Sequence, residues 1–267
     1  MKEAKTETGL ALYDEACKLD VGIVTPEIEK TILALLEKAI ACGCKEAFEM
    51  FGIYNLMGWG MSRPNYRKAG RFLEQASRRK SFSSYVDLAW CYYYGHGVPR
   101  RRRKAFALYL KAAMQGSELG MYNVGTFYEH GERCVVRKDP EKAVFWYREA
   151  ATKGNADATF KVGYAYDMGK GVTKDKKAAV RWYRLAASKG SGDAMWNLSA
   201  FYEKGLVVRR NCAYAAKLGK DVVCAGCGIG DHTAAFGRTG SRSQSAQRDG
   251  GSRTYYDGFG SVSYDGL

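Results

Sequence analysis

The chain has 267 residues, 46% of them apolar and 13% aromatic, which is enough for a continuous core and excludes a wholly disordered protein. No run approaches 18 apolar residues, so no bilayer-spanning helix is expected, and residues 1–20 lack the apolar stretch of a secretory leader. The formal charge of +14 is uneven: residues 1–43 hold five Lys/Arg against eight acids, residues 224–267 four against four, and residues 44–223 thirty-three against sixteen.

Residues 6–19 (TETGLALYDEACKL) read as an irregular first helix. Thr25-Pro26-Glu27 then supplies an N-cap, a proline for the first helical position and an acid for the first turn, and predicts a helix over 27–42 that stops at Gly43. From there a unit recurs. An apolar residue followed by a small one appears as Phe51-Gly52, Leu88-Ala89, Val124-Gly125, Val162-Gly163 and Leu198-Ser199, in steps of 37, 36, 38 and 36 residues. Four positions after each apolar residue stand Asn55, Tyr92, Tyr128, Tyr166 and Tyr202. Second helices keep step as Phe72-Leu73, Leu108-Tyr109, Trp146-Tyr147 and Trp182-Tyr183, each followed by alanines and most closed by a glycine (Gly116, Gly154, Gly190). Helix 27–42 is in phase with them through Leu35, Leu36 and Ala39.

This pattern predicts antiparallel helical hairpins whose small residues let the two backbones approach. A lone hairpin buries too little apolar surface, so copies must stack. The expected organisation is an irregular helix plus capping half-repeat over 1–43, and a solenoid over 44–223 with units 44–80, 81–116, 117–154, 155–190 and 191–223. A Gly/Ser/Tyr-rich disordered tail is expected over 224–267, where ten glycines and six serines fall in 44 positions.

Apolar-Gly, a tyrosine four on, Gly-x-Gly-Val, Trp-Tyr, Ala-Ala and a closing glycine together resemble the Sel-1-like repeat, a relative of the tetratricopeptide hairpin. The resemblance covers residues 27 to 219. GHGV (Gly95 to Val98) and GKGV (Gly169 to Val172) match the turn best. Unit 44–80 is looser, and in 191–223 Leu218-Gly219 stand where Trp-Tyr belong. The resemblance implies an all-α, right-handed solenoid that works as a non-catalytic scaffold or adaptor, with the first helices lining a concave groove for a peptide or protein partner.

At 100° per residue, positions two before and two after the apolar residue point away from the hairpin partner. With the flanking amides, they nominate Trp90, Tyr122, Asn123, Tyr164, Trp196 and Asn197 as a groove surface. Packing between repeats is the competing reading for each aromatic. Charge concentrates in Arg78-Arg79-Lys80 and in Arg100, Arg101, Arg102, Arg103 and Lys104, the latter at an exposed turn after Pro99. These are solvated loop charges, a nuclear-import segment, or a surface for nucleic acid or another anionic partner, which is the alternative function.

Eight cysteines (Cys17, Cys42, Cys44, Cys91, Cys134, Cys212, Cys224 and Cys227) do not follow the period. That disfavours the family's secreted branch, with its cysteine-stapled hairpins, and points to reduced thiols in the cytoplasm and/or nucleus. Cys224-x-x-Cys227 with His232 is one ligand short of a closed zinc site, so neither metal nor cofactor is expected. His96 and His130 read as spacers in exposed turns. The Gly-x-Gly elements follow helices rather than strands, so they are turns and not phosphate cradles, and no enzyme motif is present.

Overall fold

The computed structural model describes residues 2–21, 24–78 and 82–224. Among them the elements are α1 (Lys2–Leu19), α2 (Pro26–Ala41), α3 (Ala47–Met57), α4 (Tyr66–Ser77), α5 (Phe82–Tyr94), α6 (Arg102–Met114), α7 (Glu118–His130), α8 (Pro140–Thr152), α9 (Ala156–Met168), α10 (Lys176–Ser188), α11 (Gly192–Lys204) and α12 (Cys212–Cys224). The described residues contain no strand, only an isolated bridge between Glu132 and Val136. They form two compact bodies that divide between Pro64 and Asn65. In the first, α1 packs on α2 and α2 on α3. In the second, hairpins α5–α6, α7–α8, α9–α10 and α11–α12 stack in order, each meeting the next through α6–α7, α8–α9 and α10–α11. Beyond Cys224, which ends α12, the expected tail over 224–267, with Cys227 and His232, lies outside the described residues, as does the Arg79-Lys80 end of the first charged run.

Local chemistry sets the ends of each hairpin. Thr25 caps α2 as the sequence predicts, accepting from the amide of Ile28, and Asp139 caps α8 in the same way, accepting from that of Lys142. Where one repeat passes to the next, a left-handed glycine is followed at once by a capping side chain: Gly116-Ser117, Gly154-Asn155 and Gly190-Ser191. The polar turn is thus satisfied within two residues, and the caps themselves are buried.

Inside hairpins α7–α8 and α9–α10 a tyrosine ring packs against a glycine of the first helix. Tyr147 sits so close to Gly125 that a Cβ there would lie 2.7 Å from its ring, and Tyr183 approaches Gly163 to 2.8 Å by the same measure. Both tyrosines, and the equivalent Tyr109, are buried. Tyr147 donates its hydroxyl to Glu129 at 2.6 Å, and Tyr183 points at Asp167 across 3.5 Å. In the 81–116 repeat the corresponding position is Tyr93, and the Tyr109 hydroxyl finds no hydrogen-bond partner among the described residues. Burial pushes all three phenols above their ordinary range. The last hairpin forms despite its irregular second helix: Ala215 and Leu218 of α12 are buried, and Leu218 joins Leu198 and Phe201 in the core.

A different glycine spaces one repeat from the next. Gly97 has φ +70, and a Cβ on it would fall 1.7 Å from the Tyr66 carbonyl oxygen at the start of α4; Gly171 meets Pro140 in the same way at 2.2 Å. Backbone oxygens at a helix start cannot move aside cheaply. Gly97→Ala should therefore destabilise by about 1–3 kcal/mol more than Gly116→Ala, which has a similar positive φ but open space around it. Urea unfolding followed by circular dichroism measures the difference, and equal losses would refute the wedge.

Glu129 supplies a pH test. Burial acts to raise its carboxyl, but the Lys161 ammonium 3.0 Å away and the Tyr147 hydroxyl outweigh it, holding the group below its ordinary 4.5. A carboxyl depressed in the folded state binds its proton more readily when unfolded. Its contribution is therefore complete above pH 4.5 and is lost as pH falls through the folded value. Glu129→Gln should flatten the acid limb of a stability–pH curve. Lys161→Met should cost about 1–3 kcal/mol at pH 7, less than for a fully buried pair.

Candidate partner-binding surface

The face nominated from the sequence belongs to α5, α7, α9 and α11, all in the second body. On α11 the buried side consists of Ala194, Leu198 and Phe201, which leaves Trp196 57% exposed and Asn197 half-buried. The Asn197 amide reaches the Tyr183 hydroxyl. On α9, Phe160 and Tyr164 lie one turn apart with ring centroids 6.2 Å from each other. Phe160 stacks on Tyr183 at 5.7 Å, and the Lys170 ammonium stands 5.1 Å from the Tyr164 ring. Both are half-buried against the core of the last two hairpins.

Tyr122 on α7 is half-buried, its ring 5.6 Å from Tyr147, and burial followed by the carboxylates of Asp157, Glu129 and Asp193 raises its phenol. Asn123 is buried, its amide donating to the Leu119 carbonyl at 2.8 Å on its own helix. Trp90 on α5 is half-buried and stacks on His96 at 4.6 Å. His96 is no exposed spacer. It lies between Trp90 and Tyr66 (4.3 Å), and burial lowers its pKa, so it is neutral near pH 7. His130, by contrast, is exposed. The face is therefore uneven: Asn123 is buried, Trp90, Tyr122, Phe160 and Tyr164 are half-buried, and Trp196 is open.

The second charged run is divided in its duties. Arg100 donates to the Tyr93 carbonyl at 3.1 Å, while Arg101 is exposed. Arg102 pairs with Glu132 and lies over the Tyr93 ring. Arg103 donates to the Cys134 carbonyl at 2.5 Å, and Lys104 reaches both the Tyr92 hydroxyl and Glu74. Lys104 begins a series that sequence reasoning missed. In the four copies with a tyrosine four after the apolar residue, that ring is met by a cation of a second helix: Lys104 over Tyr92, Lys142 over Tyr128, Arg148 over Tyr166 and Arg184 over Tyr202, 4.0 to 5.7 Å from the ring centres. The recurring tyrosines were visible; the cations that meet them come from two different helix registers, so no single spacing reveals them.

Among the described residues no group of three or more His, Cys, Asp or Glu is placed to hold an ion, and no described helix is long and apolar enough to cross a membrane. Burial pushes the Cys91 thiol up to about 12, which leaves it unreactive at neutral pH.

Comparison with known proteins agrees with this architecture. The family model described as Sel1 repeat matches residues 47–81, 83–117, 119–155, 156–191 and 192–219. A solved Sel1 repeat protein from Oxalobacter formigenes superposes with a TM-score of 0.69 at 26% identity, covering 84% of this chain and 88% of that one. A protective antigen of uropathogenic Escherichia coli with an SLR fold gives 0.68 at 23% identity, covering 85% and 46%, which speaks to the fold alone. Among curated proteins, chitin synthase regulatory factor 3 of Schizosaccharomyces pombe is 28% identical over 162 residues, 58% of this chain. The chain spans only 17% of that relative's length. With five consecutive matches running from residue 47 to residue 219, the chain belongs to the Sel1 repeat family.

Proposed function

We propose that the chain is a non-catalytic adaptor that holds a peptide or protein along the first-helix face of its second body, centred on α9 and α11. The observation that carries this reading is Trp196, a large indole left 57% exposed beside the half-buried Asn197 amide. Phe160 and Tyr164 occupy the same face of the preceding repeat, and Asp157 and Asp193 bring acids to it near Tyr122. Exposed or half-exposed aromatics with a polar handle are what binding energy concentrates on at interfaces. Sel1 repeats generally mediate protein–protein interaction, and the fission-yeast relative carries a regulatory name, which supports a role without chemistry. Trp90, Tyr122 and Asn123 act in this reading as the packed end of the face, orienting it rather than touching the partner first.

Trp196→Ala should change stability by no more than about 0.5 kcal/mol, because the ring has little packing to lose. Combined with Tyr164→Ala, it should reduce proximity labelling of the partner several-fold relative to the unaltered chain; labelling that stays the same would reject the face. Trp90→Ala should instead cost about 2–4 kcal/mol of folding stability, since it removes a half-buried ring from a stack.

The adaptor's setting is inferred as cytoplasmic and/or nuclear, supported by cysteines that do not keep the repeat period. If Arg100–Lys104 addresses the chain to the nucleus, charge reversal at Arg100 and Arg101 should move a fluorescent fusion to the cytosol while sparing the contacts of Arg102 and Lys104. An unmoved fusion removes that role.

A further inference from the structure

Each turn inside a hairpin begins with a left-handed glycine, and in the regular copies a second glycine follows two residues later. That second glycine seats the turn on the first residues of the preceding second helix: Gly97 against Tyr66 of α4, and Gly171 against Pro140 of α8. Two turns of the second body lack it. In the turn after Gly205 the position is Val207, held at φ +54, and in the longer turn after Gly131 the positive φ falls on Cys134 instead. A valine cannot reach a place where a Cβ would overlap a carbonyl oxygen. The Val207 turn and α10 together line a cavity of about 880 Å³.

What lines this opening is one-signed. Lys177, Arg181 and Arg184 come from successive turns of α10, and Arg209 and Arg210 from the turn, with no carboxylate among the lining residues. Two of the guanidinium groups are held in place. Arg184 donates to the Tyr202 hydroxyl, and Arg210 donates Nε to the Glu203 carbonyl at 3.0 Å, so each keeps further N–H groups for a ligand. The start of α12 also faces the cavity through Asn211 and Cys212. At the corresponding caps of α8 and α10 the residue is an aspartate, Asp139 or Asp175; here it is the neutral Asn211, which adds no opposing charge to the positive end of a helix. The smaller opening at the other irregular turn, about 410 Å³, is partly neutralised because its Arg102 is paired with Glu132.

We propose that the cavity between α10 and residues 205–212 is a binding site for a compact, multiply phosphorylated group of the inositol-polyphosphate kind. Five cations exceed what one phosphate needs, since a phosphomonoester brings about −1.5 to −2 charges. Two or three phosphates on one small ring match both the charge and a cavity within the usual range of about 300–1,000 Å³. A single-stranded nucleic acid would ask for open aromatic faces on which to stack. The one aromatic lining residue, Tyr202, already carries Arg184 over its ring. This site is independent of the adaptor face, and either can fail without the other.

The test is calorimetric titration of the full chain with myo-inositol hexakisphosphate at 150 mM salt. One ligand per chain is expected. Lys177→Glu with Arg181→Glu, both exposed and away from core packing, should weaken binding by about tenfold or more. Arg101→Glu with Arg103→Glu, the same change of charge at the other opening, should alter it less than about twofold. Trp196→Ala should leave it intact. Sedimentation with phosphatidylcholine vesicles containing phosphatidylinositol 4,5-bisphosphate distinguishes the source: co-pelleting marks a lipid headgroup, and binding of the soluble probe alone marks a free one. Absence of heat from the folded chain, equal loss in both charge-reversed variants, or tighter capture of single-stranded RNA than of the inositol phosphate at this site would overturn the assignment.

Discussion

A phenol ring packed against a residue with no side chain sets the spacing of hairpins α7–α8 and α9–α10. At Tyr147 on Gly125 and Tyr183 on Gly163 the ring takes the volume that any larger residue on the first helix would need. That fixes how near the two helices run and which face of each points inward. Everything outward follows by geometry: the apolar residue before the glycine is buried, and the residues two positions either side turn toward the neighbouring repeat or toward solvent.

The period and the type of element were readable because this contact demands a small residue at a fixed place, and few substitutes satisfy it. The glycine stops were readable for a related reason, as a two-residue passage from helix to helix requires a left-handed residue and then a cap. The candidate face was only partly readable. Helix geometry marks the register of Trp90, Tyr122 and Trp196 as equivalent or nearly so, but equivalence in register is not equivalence in exposure. Neighbouring helices cover Tyr122 and a histidine from the turn covers Trp90, whereas Trp196 stands open. Asn123 and Asn197 likewise occupy one register, yet the first spends its amide on its own helix and the second on Tyr183 of the preceding helix.

The surplus of basic residues has a structural share that composition alone conceals. Arg102, Lys104, Lys142, Arg148, Lys161 and Arg184 each meet a carboxylate, a phenol or a ring, and they join helices of one repeat or of adjacent ones. Such long side chains cover apolar surface with their stems while the charged ends stay wet. Five cations, Arg184 among them, also line the turn in which Val207 replaces the second glycine, so a departure from the family pattern and a basic cluster coincide there.

The unsatisfied hydroxyl of Tyr109 bears on how the array comes apart. Stacked repeats share strength only with their neighbours, so cooperativity is broken at the unit with the poorest internal balance. Where its counterparts trade a hydroxyl for a carboxylate, the 81–116 repeat carries the desolvation of that group uncompensated. Opening fluctuations of the second body should then start in α5 and α6, and their amides should exchange with deuterium sooner than those of α7 to α10. Uniform exchange across the four hairpins would instead mean that the stack melts as one piece.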